Sequence, residues 1–179
     1  MISVFENFIT DEEIEVALQN IKNSNVANHN SLYGDAQSSH QFSNYQSYEK
    51  AKEKGYSITV PHENILIRGT SIYNRIVNEL NEYTRLAGSS DKMDITNSWF
   101  NIQRPGSHLN VHNHPNSELS GALYLKADSK SSRLIFEHKL IKPSVGMLVI
   151  FPSWMNHSGN NNQSEERIVI SFNSAIKNI

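Results

Sequence analysis

The stretch RIVISFN, Arg167 to Asn173, separates two environments on one short run. Successive side chains of an extended chain face opposite ways, so Ile168, Ile170 and Phe172 share one face and Arg167, Val169, Ser171 and Asn173 the other. The wholly apolar face is suited to packing on helices. The mixed face is suited to the inside of a barrel. Working back from this strand, the runs ITNSWFNIQ, HLNVHNH, LSGALYLKA, SRLIFEH and GMLVIFP are punctuated by RPGS, HPNS, DSKSS and SGNNNQS. Short strands with turn residues between them predict an antiparallel sandwich or barrel of about six to eight strands from Asp94 onward. Two helices precede it. Thr10 and Glu13 form a capping-box pattern ahead of Ile14, Ala17, Leu18 and Ile21, which predicts a helix over Asp11 to Lys22. Ile72, Ile76, Leu80 and Tyr83 line one face of a second helix, about Thr70 to Ala87, with Gly88 as its stop. The expected fold is α+β and mainly β, a sandwich or jelly roll backed by N-terminal helices. Residues 23–56 are rich in Asn, Ser, Gln, His and Tyr and are read as a long covering loop.

The chain has 179 residues, enough for one domain with a full core, and shows no repeats. A single domain over 1–179 is expected, with 1–93 as helical support and cover and 94–175 as the jelly-roll core. Lys and Arg number 16 against 18 Asp and Glu, a net charge of −2, so there is no strong field to hold nucleic acid or an anionic membrane. The start MISVFENFITDEEI has no basic region followed by an apolar run, and no long apolar span follows. These features predict a soluble cytoplasmic protein acting on a small molecule or peptide, with no nucleic-acid or membrane partner. Nothing in the sequence speaks to its oligomeric state. Without cysteine there is no disulfide and no thiolate, leaving His, Asp and Glu as the strong metal ligands.

The run HLNVHNHP, residues 108–115, answers to that restriction. On a strand, His112 and His114 share a face about 6 to 7 Å apart at Cα, a spacing fit for joint metal capture. A third ligand must come from another strand. The downstream histidines are His138 and His157, and His157 follows the apolar strand Gly146 to Phe151, at the kind of strand end where barrel-mouth ligands sit. Ten residues after His157 comes Arg167, on the inward face. A buried guanidinium cannot shed its charge and needs an anion, which a carboxylate-bearing cosubstrate would supply. The bland alternatives are a surface histidine pair, and an ion pair of Arg167 with Glu165, Glu166 or a more distant acid.

Taken together, His112-x-His114, LSGALYL, VGMLVIFPSWMNH and ERIVISFN resemble the 2-oxoglutarate and Fe(II)-dependent dioxygenases, most of all a group of small oxygenases related to prolyl 4-hydroxylases. The likeness spans about Ser98 to Asn173. It implies a double-stranded β-helix with Fe(II) on His112, His114 and His157, and 2-oxoglutarate anchored by Arg167 with Tyr124 of ALYL. It also implies O2 as the second cosubstrate, succinate and CO2 as products, and hydroxylation of a substrate C–H bond, such as that of a peptidyl proline. NIQRPGSHLNVHNH further resembles the approach strand of the alkylation-repair oxygenases, which places Asn101 and Gln103 beside the cosubstrate, with Gln103 standing where those enzymes have tyrosine. Ser171 is a further candidate for lining that pocket. The departure is His114, where the family carries Asp or Glu, so zinc would also suit the site. Two other readings stay open. GSHLNVHNHPNSE also fits the first cupin metal motif, with Glu118 as a fourth ligand, although PSWMNH lacks the glycine of the second motif. A non-enzymatic jelly-roll module holding structural zinc is the other. Trp154 is read as a packed lid beside the metal, His138 as a strand-end residue, and His29, His40, His62 and His108 as surface residues.

Overall fold

The structure, a computed structural model, describes residues 1–29, 31–43 and 64–177. In chain order the elements are β1 (Ser3–Phe5), α1 (Asp11–Lys22), β2 (Leu32–Tyr33), β3 (Ala36–Ser38), α2 (His40–Ser43), α3 (Ser71–Leu86), β4 (Met93–Gln103), β5 (His108–His112), β6 (Leu119–Lys126), β7 (Leu134–Phe136), β8 (Lys139–Ile141), β9 (Leu148–Pro152), β10 (His157–Gly159) and β11 (Arg167–Ile176). They form two sheets, in the orders β1-β9-β6-β11-β4-β3 and β2-β5-β10-β7-β8, and every strand pair is antiparallel. This is the jelly roll expected from the punctuated runs.

The alternation of β11 is realised as read. Ile168, Ile170 and Phe172 join Ile14, Ile76 and Leu80 in the core between the helices and the six-stranded sheet. Val169 belongs instead to a second core between the sheets, with Tyr124, Phe136, Val149 and Phe151. Helix α1 carries the reciprocal cap: the Glu13 amide donates to Thr10 Oγ1 at 3.2 Å, and the Thr10 amide to Glu13 Oε1 at 3.1 Å. Helix α3 starts at Thr70, whose hydroxyl accepts from the Tyr73 amide, and ends before Gly88 in the left-handed conformation. Its buried face is Tyr73, Ile76 and Leu80, so Ile72 and Tyr83 sit at the flanks of the stripe. Arg75 reaches from α3 to Glu13 and to the carbonyl of Phe8, tying the helices together.

The polar segment differs from the expected loop. Its described part folds into β2, β3 and α2, while residues 44–56, and His62 further on, lie outside the described residues. β2 adds to the edge of β5 through Leu32↔Leu109 and Tyr33↔His108, and β3 adds to β4 through Ala36↔Gln103 to Ser38↔Asn101. Main-chain hydrogen bonds hold both strands, which is why a segment without an apolar pattern is ordered. The turn between them needs Gly34: its φ is +82°, and a Cβ would lie 2.8 Å from the Gly106 carbonyl oxygen. The segment is thus a strap from one sheet to the other. Among the described residues no helix is long and apolar enough to cross a membrane.

Candidate active site

Strand register builds the site. His112, the last residue of β5, is the direct partner of His157, the first residue of β10. His114 lies two residues beyond β5, and its amide donates to the Ser153 carbonyl at 2.9 Å, which draws it back toward the turn before His157. The ring centroids are 4.3 Å apart for His112 and His157, 5.1 Å for His114 and His157, and 5.2 Å for His112 and His114. One ligand nitrogen from each lies within 4.8 Å of the other two. His112 Nδ1 is 2.8 Å from the Asn110 carbonyl, and His157 Nδ1 is 3.0 Å from the Met155 carbonyl. A carbonyl only accepts, so both Nδ1 atoms carry protons and both Nε2 lone pairs are free for a metal.

Burial keeps these imidazoles neutral. It lowers the pKa of His114 to about 3 and that of His157 to about 4, with the neighbouring rings lowering them further, and it lowers His112 as well. Neutral imidazole is the ligand form. Glu118 is exposed and stands outside the cluster, so the described residues offer three protein ligands and not the four that a cupin site or a closed zinc site would use.

Deeper between the sheets, β11 and β4 pair so that Arg167 faces Gln103 and Val169 faces Asn101, while Tyr124 of β6 meets Val169 from the other side. These side chains and Ser171 line one cavity of about 50 Å³ together with the three histidines. Arg167 is 6% exposed. It donates from Nε to the Ser132 carbonyl at 3.1 Å and from Nη1 to Gln103 Oε1 at 2.6 Å, and its guanidinium carbon lies 5.1 Å from the Tyr124 ring centre. No carboxylate among the described residues pairs with it: Glu166 is engaged by Lys126 and Arg104 instead, and Glu165 is exposed. Burial pushes the Arg167 pKa down and the Tyr124 pKa up. Among the described residues the Tyr124 hydroxyl and Asn101 Oδ1 are buried without a hydrogen-bond partner at normal geometry, although the hydroxyl lies near enough to Arg167 to feel its charge. A cation without an anion and two unsatisfied polar atoms in one cavity are costly unless a ligand completes them. A small diacid fits that demand.

Above the histidines lies an outer cleft of about 610 Å³, reached past His114 and His40 and bordered by Asn97, Asn113, Asn116 and Asn173. Asn173 is therefore a cleft residue, its Oδ1 accepting from Ser120 Oγ at 2.8 Å.

Three expectations change. Trp154 is 73% exposed and is no packed lid, because the turn carrying it projects outward ahead of β10. His29 and His40 are not surface residues: their rings are 4.3 Å apart, and His40 is 4.7 Å from Trp99, which lies 5.9 Å from His114. Burial holds both at about 4 in pKa. The one hint in sequence was histidine recurring within a polar segment, and the strap explains what that hint could not. His108 is exposed as read, stacking on Tyr33, and His138, read as a strand-end residue, lies exposed in the turn between β7 and β8.

Residues 97–140 and 135–173 match the model of the family described as "Putative 2OG-Fe(II) oxygenase", which bears out the resemblance read from the sequence. No curated protein matches the chain. Among solved structures, the viral collagen prolyl hydroxylase of Paramecium Bursaria Chlorella virus-1, in its 2OG complex, is similar with a TM-score of 0.65 at 15% identity, over 98% of this chain and 96% of that one. A prolyl-4-hydroxylase of Pseudomonas putida gives 0.61 at 12% identity, over 99% and 93%. HygX of Streptomyces hygroscopicus, with nickel and 2-oxoglutarate bound, gives 0.63 at 7% identity, over 98% and 83%. At these identities the likeness is one of fold.

Proposed function

We propose that residues 1–179 form one Fe(II)- and 2-oxoglutarate-dependent dioxygenase domain that hydroxylates a peptidyl residue such as proline, or a small molecule. The observation that carries this reading is Arg167, a buried cation without a carboxylate partner among the described residues, in the same cavity as three convergent histidines. When bound, iron and 2-oxoglutarate supply the oxidising chemistry, in which O2 is consumed, succinate and CO2 are released and a substrate C–H bond becomes C–OH. The protein's part is placement. His112, His114 and His157 hold the metal through neutral nitrogens, with the Asn110 and Met155 carbonyls orienting His112 and His157. Arg167 meets the far carboxylate of the cosubstrate, Gln103 holds the guanidinium in line, and the Tyr124 hydroxyl and Asn101 amide close on the same ligand. Ser171 borders the cavity beside them. Substrate enters by the outer cleft, whose asparagine amides can donate to and accept from a peptide backbone.

The direct test is an anaerobic titration of the protein with Fe(II) and then 2-oxoglutarate. The expected result is a weak visible charge-transfer band that saturates with 2-oxoglutarate, and slow conversion to succinate once O2 is admitted. Metal binding without any response to 2-oxoglutarate would overturn the reading.

A further inference from the structure

The strap between the sheets brings a fourth histidine to the cavity. His29 lines the same cavity as Arg167, Tyr124, His112, His114 and His157, and lies close enough to His112 for the two to repel if charged. Its nitrogens are not equivalent. Nδ1 accepts the Ser31 amide hydrogen at 3.0 Å, so it carries the lone pair, and in the neutral ring the proton sits on Nε2. A ring in that state has no lone pair to offer a metal: Nδ1 is committed to the backbone and Nε2 is a donor. Among the described residues nothing accepts from it. The ring is also held firmly. His40 packs edge-on against it at 4.3 Å and is itself braced edge-on by Trp99 at 4.7 Å, while the His29 carbonyl takes the Leu32 amide at the start of β2.

Resting on the oxygenase reading above, we propose that His29 binds the cosubstrate, donating from Nε2 to the carboxylate at the metal-facing end of 2-oxoglutarate while Arg167 takes the far one. The assignment follows from position. A diacid reaching from Arg167 toward the histidine cluster would bring a carboxylate near His29, which lines the same cavity and has an uncommitted N–H. His40 is a positioning residue that fixes the ring edge-on and itself lines the outer cleft. The strap therefore does more than cover the sheets, because it brings a donor to the ligand pocket from beside β5, the strand with which β2 pairs.

The test measures 2-oxoglutarate binding to the Fe(II)-loaded protein under nitrogen, together with metal content, for wild type, His29→Phe and His29→Gln. Glutamine places its amide nitrogen close to the position of Nε2 and keeps the donor. One charge-assisted hydrogen bond corresponds to about tenfold in affinity. The expected result is a dissociation constant raised about tenfold in His29→Phe and within about threefold of wild type in His29→Gln, with full metal content in both. Unchanged binding in His29→Phe overturns the proposal, and so does loss of metal, which would make His29 a ligand. A second measurement needs no variant. In the zinc-loaded wild type, nitrogen NMR should show the His29 Nε2–H resonance move downfield as 2-oxoglutarate is added, and a signal that does not respond overturns the assignment. Wild-type protein that ignores 2-oxoglutarate altogether sinks the oxygenase reading itself, a different outcome from either.

Discussion

At the scale of single residues, the site is defined by charges that the protein leaves incomplete. Removing the guanidinium tests this most directly. Arg167→Ala should raise the 2-oxoglutarate concentration for half-maximal turnover about 100-fold, the worth of a bidentate charge-assisted pair, and leave metal content unchanged. Binding by calorimetry and succinate release would both read it. His114 offers a second test, since it stands where the resembled family carries a carboxylate. His114→Asp should keep metal, because a carboxylate on the same stem restores the two-histidine, one-carboxylate set, whereas His157→Ala should lose it. Metal analysis after dialysis separates the two. The meeting of His112 with His157 and the inward placing of Arg167 follow from strand order and alternation, whereas His114 lies beyond β5 and is drawn in by its amide bond to the Ser153 carbonyl and not by a shared strand face. His29 and His40 were not legible in the sequence, since their approach depends on where a turn-rich segment crosses the barrel. Trp154 was misread for the opposite reason: adjacency to His157 in sequence says nothing about which way a turn projects.

At the scale of elements, the strap formed by β2 and β3 is the part the sequence concealed. Helices α1 and α3 announced themselves through caps and apolar spacing, and β11 through its alternation. An added edge strand needs only a free main chain to pair with, and a composition of Asn, Ser and Gln carries no trace of that. Its dependence on Gly34 gives an expected outcome. Gly34→Ala places a Cβ against the Gly106 carbonyl at positive φ, which should cost about 1–3 kcal/mol and loosen the strap from β5. Thermal melting reads the cost, and increased amide exchange at Leu32 and Tyr33 would localise it. Core damage elsewhere should behave differently. Ile76→Ala, at a fully buried position of α3, should cost about 2–5 kcal/mol while the remaining folded protein keeps its metal affinity.

At the scale of the whole molecule, the buried imidazoles link folding to pH. His40, His114 and His157 have folded pKa values of about 4, 3 and 4 against 6.5 when solvated. Between pH 6.5 and about 4 the unfolded chain binds more protons than the folded one. Their contribution is therefore intact above pH 6.5 and is lost as pH falls, at up to about 1.4 kcal/mol per pH unit for each group. The metal-free protein should melt at nearly constant temperature from pH 8 to 7 and at steeply lower temperatures from 6.5 to 4.5; a level profile through the lower range would mean that these rings are solvated. At pH 7, metal at 100 times its dissociation constant should add about 2.7 kcal/mol of stability. The placement of the two tryptophans has a practical consequence as well. Trp99 is 3% exposed and near His114, while Trp154 is 73% exposed beyond the rim, so the two indoles emit from dry and wet surroundings. Excited near 295 nm, the Trp154→Phe protein would fluoresce from one shielded indole, and paramagnetic quenching by arriving Fe(II) or Co(II) would let the filling of the centre be followed in real time.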